Sequence, residues 1–268
     1  MTRRLVLAGI FALLLLPMAS SSQAGQQCEQ HPLTTQELMQ GLALAEATAR
    51  SLDATGADVV VIARAGQDLR RWELNWSHMG LAYRVSPPNG AGQIGVWRVV
   101  HKLNQCGTSE AQLYRHGLGE FFMDQPWRYA AAYSVLTPAL QERLLPWLKR
   151  PDMMLNLAQP QYNMLSYPWS LRYQQSNQWV LEMLAAQPGR QSTRQSAQAT
   201  LQTLGYVPGL IHIPTMTRLG ANLTRANVAF DDQPWGERMA GRIRTVTAES
   251  VFNWLRRAEL GGPIQIVE

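Results

Sequence analysis

Two cysteines, five histidines and a charged fraction of 16% are all that the 268 residues provide, and each scarcity excludes something. With only Cys28 and Cys106 there is no Cys-x-x-Cys pair, and the histidines never fall as His-x-x-x-His, so no zinc knuckle or helix-borne metal pair can be assembled. The acidic residues form no dense cluster, and Asp231-Asp232 fits a surface turn. Neither a metal nor a cofactor is therefore expected. Gly90-Ala91-Gly92-Gln93-Ile94-Gly95 has glycines near a phosphate-loop spacing, but it precedes a strand rather than a helix and reads as a hairpin loop. Basic residues are not interleaved with aromatics in a stripe, which argues against nucleic acid as a partner. Beyond the first two dozen residues no run is long and uncharged enough to span a bilayer.

What is present begins with a leader. Arg3 and Arg4 precede an apolar run from Leu5 to Leu16, and Ser22-Gln23-Ala24 places small residues at the two positions a signal peptidase reads. Residues 1–24 are thus expected to be a signal peptide, and residues 25–268 a periplasmic or secreted domain with no transmembrane segment. Cys28 lacks the preceding tetrapeptide that marks a lipoprotein. Losing Arg3 and Arg4 takes the formal charge of +5 down by two, to +3. In an oxidising compartment the isolated pair Cys28 and Cys106 is expected to form a disulfide, worth about 4 kcal/mol by loop closure. Nine tryptophans support a packed interior.

The pattern along the chain predicts a mixed domain. Thr34-Thr35-Gln36-Glu37 has capping-box spacing, and Leu38, Leu42, Ala45, Ala49 and Leu52 recur at helical intervals as far as Gly56. Strands are predicted at 58–63, 78–85, 96–103 and 130–137, with Pro87-Pro88-Asn89-Gly90 turning the second into the third as an antiparallel hairpin. Pro138 opens a helix through Leu148, and further helices are predicted from Ser176 to Pro188, from Ser192 to Leu204 and from Thr247 to Leu260. An edge strand is predicted at 264–267. After Tyr206, Pro208, Pro214, Gly220 and Pro234 break every periodicity.

Two segments carry candidate chemistry: Ser77-His78-Met79-Gly80-Leu81-Ala82, and Gln175-Ser176-Asn177-Gln178-Trp179 nearly a hundred residues later. Strand alternation puts His78 with Gly80 and Ala82 on one face and Met79, Leu81 and Tyr83 on the other. A hairpin partner strand can bring His101 beside His78 to orient its imidazole, a role for which Asn104 and Gln178 compete. His31, His116 and His212 have no recognisable partners and read as structural or exposed. Ser176 has two readings that the residues leave open. As an N-cap it accepts a backbone N–H. As a nucleophile it would use the positive end of the same helix to stabilise an oxyanion.

The Ser77–Ala82 segment, the strand bearing His101 and the Gln175–Trp179 segment together resemble the circularly permuted papain-like superfamily, which includes lecithin retinol acyltransferase-like enzymes and NlpC-type cell-wall peptidases. Tyr162-Asn163 resembles the Tyr-Asp element before its nucleophile helix. More narrowly, His101-Lys102-Leu103-Asn104-Gln105-Cys106 and Ser176-Asn177-Gln178-Trp179-Val180-Leu181-Glu182 resemble a secreted bacterial family, domain of unknown function 2145. The resemblance implies an α+β fold, an antiparallel sheet packed against helices in a permuted papain-like arrangement with a C-terminal embellishment. It places Ser176 where the superfamily has cysteine, His78 at the base and His101 at the second polar position. The implied activity is hydrolysis or acyl transfer on an amide or ester, with a cell-envelope peptide or lipid acyl group as substrate. Serine for cysteine is a departure, because a hydroxyl needs far stronger base assistance than a thiol. The rival is an inactive binding or scaffold protein that keeps the shell and uses surface around Trp72, Trp76 or Trp169.

Overall fold

A computed structural model describes residues 32–85, 95–187, 192–214, 217 and 226–268. Residues 1–24, expected as a signal peptide, together with Cys28, His31, the Pro87–Gly90 turn and residues 90–94 of the glycine-rich loop lie outside the described residues. Helix α1 (Thr35–Ala54) starts on the expected capping box: the Glu37 N–H donates to Thr34 Oγ1 at 3.2 Å and the Thr34 N–H to Glu37 Oε2 at 2.8 Å. It ends just before Gly56, whose φ of 67° is the left-handed conformation glycine adopts without cost.

The chain then builds an antiparallel sheet from β1 (Val59–Ala65), β2 (His78–Val85), β3 (Val96–Asn104), β4 (Ala111–Gly117), β5 (Arg128–Val135) and β8 (Gln265–Val267), in the order β4-β3-β2-β1-β5-β8. The fold class is α+β. Central β1 reads Val-Val-Val-Ile-Ala-Arg-Ala without polar alternation because helices cover both of its faces, and all seven residues are buried. On one face, α1 and the short α2 (Leu118–Phe122) pack Leu44, Leu52, Phe121 and Phe122 against Val60, Ile62, Ala82 and Val99. On the other, α3 (Pro138–Leu148), α4 (Pro151–Leu155), α5 (Ser176–Ala185), α6 (Arg194–Thr203) and a C-terminal helix at Ala248–Arg257 flank a larger core that includes Val61, Met79, Leu81, Val100 and Trp179.

The predicted hairpin is present as the β2–β3 pair, and the predicted edge strand is β8. Strand β4 and helix α2 escape the sequence reading. So does a second, two-stranded sheet in the stretch after Tyr206, formed by β6 (Gly209–His212) and β7 (Arg242–Thr245), with helix α7 (Trp235–Met239) between them and the C-terminal helix following as α8. This small sheet has its own apolar cluster of Ile211, Ile213, Val228, Phe230 and Ile243, against which Trp72 and Leu74 pack.

Candidate functional site

The site begins where a ladder stops. Strands β2 and β3 pair from Val85↔Val96 to Leu81↔Val100, while β2 goes on pairing with β1 as far as His78↔Arg64 and β3 with β4 as far as Asn104↔Ala111. Extending the β2–β3 register by two residues would set Met79 against Lys102. Their backbone groups are instead taken by the start of α5. The Met79 N–H donates to Asn177 Oδ1 at 3.0 Å, and the Ser176 hydroxyl donates to the Lys102 carbonyl at 2.6 Å. A helix terminus has thus been pushed between two strands and supplies the bonds that the strands no longer give each other.

This arrangement changes the reading of Ser176. The N-cap of α5 is Gln175, whose side-chain oxygen accepts the Asn177 N–H at 3.1 Å; Ser176 is the first helical residue. The capping expectation for Ser176 is therefore corrected, because its oxygen turns toward β3 rather than back onto its own helix. Ser176 is only 4% exposed, and the buried phenol of Tyr162 also hydrogen-bonds its hydroxyl. Burial raises the Tyr162 pKa, so this phenol is a neutral donor or acceptor.

His78 and His101 come together, with Nε2 of His78 2.8 Å from Nδ1 of His101. Gly80 permits this contact: a Cβ there would lie 2.5 Å from Val99 Cγ1 and 3.2 Å from His101 Cβ. The chain of imidazoles continues, since Nε2 of His101 lies 3.0 Å from Nδ1 of His116 on β4. His116, expected to have no partner, is the third ring of a row that crosses three strands. The rings of His78 and His101 lie 5.9 and 5.2 Å from the ring of Phe121. Burial, the Arg64 guanidinium and a neighbouring imidazole each push His78 and His101 well below the ordinary histidine range, so both are neutral at physiological pH. Arg64 is held by Asp124 and the Phe121 carbonyl.

Parity separates the histidines from the serine. His78, Gly80, Ala82, Val99 and His101 belong to the α1/α2 face of the sheet, while Met79, Leu81 and Val100 face α5. Among the described residues no hydrogen bond joins Ser176 to any histidine. The competitors for the orienting role are also committed elsewhere. Asn104 ties the Thr108 and Glu110 carbonyls to Asn227, and Gln178 bonds Ser166, Pro168 and Glu182.

Beneath α5 lies a buried polar network. Fully buried Glu182 accepts from Gln174, Gln178, Gln198 and Arg194. Lys102, also fully buried, donates to the carbonyls of Gln159 and Gln174 and to Gln174 Oε1. Burial foremost, then the Arg194 charge, bring Lys102 down to about 7, with Glu182 acting in the opposite direction.

Despite the parity difference, His78 and Ser176 both border one cavity of about 300 Å³ at this end of the sheet. Asn177, Gln175 and Tyr162 complete a polar floor; Trp72, Trp76 and Ile211 supply apolar wall. The region after Tyr206 therefore walls the cavity rather than filling it. Trp169, the third tryptophan singled out, packs instead against the main core beside Tyr206. Cys106 also borders the cavity, and its expected partner Cys28 lies outside the described residues. No group of three or more His, Cys, Asp or Glu able to hold a metal occurs among the described residues, and no helix among them is long and apolar enough to cross a membrane.

No curated protein and no solved structure matches the chain. A family model does, over residues 51–255, which contain the sheet apart from β8, the three imidazoles, α5 and the cavity. The chain belongs to the DUF2145 family, described as an uncharacterized protein conserved in bacteria.

Proposed function

We propose that this protein is a binding protein of the bacterial cell envelope, whose cavity takes a peptide or lipid acyl group without cleaving it. In this reading the chain is exported through residues 1–24, Cys28 and Cys106 are bridged, and the shell is a permuted papain-like one that has lost the superfamily's chemistry. A single observation carries the reading. The hydroxyl proton of Ser176 is committed to the Lys102 carbonyl at 2.6 Å, and Nε2 of His78 to His101, so neither half of a nucleophile–base pair addresses the other. One amide of the helix start is occupied as well, because Gln175 Oε1 takes the Asn177 N–H. What remains is an open cavity with polar floor and apolar wall, the composition of a ligand site.

The rival is a hydrolase or acyltransferase with Ser176 as nucleophile, His78 as base and His101 as its orienting partner. Intact-mass analysis after exposure to a fluorophosphonate separates the two, with Ser176→Ala as control. We expect no adduct on folded protein. An adduct present on the wild type and absent from the variant would establish an activated serine and overturn the binding reading.

A further inference from the structure

We propose that His78, His101 and His116 form a proton relay between the cavity and the outer edge strand of the sheet. The inference goes beyond the binding reading: it shares the His78–His101 contact with it, adds His116, and gives Ser176 no part. The three rings are joined head to tail: Nε2 of His78 meets Nδ1 of His101 at 2.8 Å, and Nε2 of His101 meets Nδ1 of His116 at 3.0 Å. One tautomer choice therefore runs through all three. Either every ring carries its proton on Nε2 and donates outward, or the order is reversed and every link donates inward.

The ends are open where a relay needs them open. His78 borders the cavity, and its Nδ1 has no hydrogen-bond partner among the described residues. His116 is half-buried on edge strand β4, and its Nε2 likewise has no such partner. The middle is sealed: His101 is 1% exposed, under the edge of the Phe121 ring. A proton leaving an acidic group of a ligand binds Nδ1 of His78. The Nε2 proton of His78 passes to Nδ1 of His101, and the Nε2 proton of His101 passes to Nδ1 of His116. His116, now an imidazolium, releases its own Nε2 proton to solvent. One proton has crossed the sheet, and all three rings have exchanged tautomer.

The charges around the row favour passage over storage. Arg64, itself paired with Asp124, faces His78 and disfavours a resting imidazolium at the inner two rings. Around the outer ring stand Tyr114 on its own strand, Glu120 of α2, whose carboxylate accepts the Gly117 N–H, and Arg98 opposite Gly117 on β3. Positive charge thus comes to rest at the solvent end, where water shares it. The ligand class this implies is one that presents a dissociable proton to His78.

Imidazole 15N spectroscopy of the labelled protein tests the relay without a ligand. In the wild type both links should show nitrogen–nitrogen coupling across the hydrogen bond. In His116→Asp, the carboxylate can only accept from His101, so the His78 proton should sit on Nε2. In the wild type at acid pH, an imidazolium at His116 can only donate from Nδ1, so the His78 proton should sit on Nδ1. Opposite His78 tautomers in the two samples support the relay. The same tautomer in both, or the absence of either coupling, overturns it. Should His116→Asp fail to fold, the two wild-type couplings decide alone.

Discussion

Ser176→Ala removes a hydroxyl that bridges a helix terminus to a strand, and the cost follows from what is left behind. The Lys102 carbonyl loses its partner at 2.6 Å in a region where Lys102 is fully buried, and the Tyr162 phenol loses the same hydroxyl. An orphaned buried acceptor costs about 1–3 kcal/mol, and alanine returns no compensating contact. We expect a loss of about 2–3 kcal/mol. In a domain of this size that lowers Tm by about 2–4 °C per kcal/mol. Urea unfolding followed by tryptophan fluorescence should show a lower midpoint with an unchanged m-value, because the surface exposed on unfolding is the same. Asn177→Ala, which strips the acceptor from the Met79 N–H, should behave similarly. Because both residues brace one gap, the double variant should lose less than the two single losses added together. A nucleophile held for chemistry shows the opposite pattern, since removing it costs activity while stability is kept or gained. If Ser176→Ala unfolds within about 0.5 kcal/mol of the wild type, the bracing role fails and the hydroxyl becomes a catalytic candidate again.

Gly80→Ala should cost about 1–3 kcal/mol by overpacking, since its Cβ would lie 2.5 Å from Val99 Cγ1; it should also abolish the coupling between His78 and His101, read in the same 15N experiment. Glu182→Ala should cost about 3–5 kcal/mol in urea melts, because Arg194 and three glutamine amides lose a common acceptor in a buried site. His78 and His101 have folded pKa values below their unfolded value, so their contribution to stability is complete above about pH 6.5 and is lost as pH falls toward the folded values. Unfolding free energies measured from pH 8 to pH 5 should therefore fall by up to about 1.4 kcal/mol per pH unit for each of the two rings, and His101→Phe should flatten the profile. Lys102 works in the same direction at higher pH: its folded value of about 7 lies below its unfolded one, so stability should rise between pH 7 and pH 10, a slope that Lys102→Met should remove.

What was legible in the sequence was whatever rests on local pattern. The capping box at Thr34, the helix opened by Pro138 and the strand beginning at His78 depend on residues within a few positions of one another, and each stands where the pattern put it. Strand β4 was not legible, because Gln112, Tyr114, Arg115 and His116 give an edge strand little apolar alternation; its pairing with β3 is what makes it a strand. His116 was lost with it. Two aligned strands would have placed His116 against Val99, on the same face as His101, and that register is the signal that could have found the third ring. The distinction between capping residue and first helical residue at Gln175-Ser176 was illegible for another reason. It turns on whether a side chain bonds its own helix or a distant strand, and sequence spacing is silent on that.

The helix α5 shows why a residue without chemistry can still decide whether this cavity exists. All ten of its residues are buried, and Trp179, Val180, Leu181, Met183 and Leu184 offer apolar surface in every direction. Apolar burial is non-directional, so such a helix could slide or rotate against the sheet at little cost. Polar pegs in its first two turns remove that freedom. Ser176 and Asn177 fix the first turn to the splayed ends of β3 and β2, and Glu182 fixes the second turn to Arg194 and Gln198 on α6. Displacing α5 by one residue would break all of these bonds and leave a carboxylate and a guanidinium buried without partners. The floor of the cavity is the first turn of this helix, so its position is set by the same pegs. Loss of Ser176 should therefore weaken ligand binding through the cavity's shape, and a Ser176 variant that loses function is no evidence for a nucleophile unless its cavity is shown to be intact.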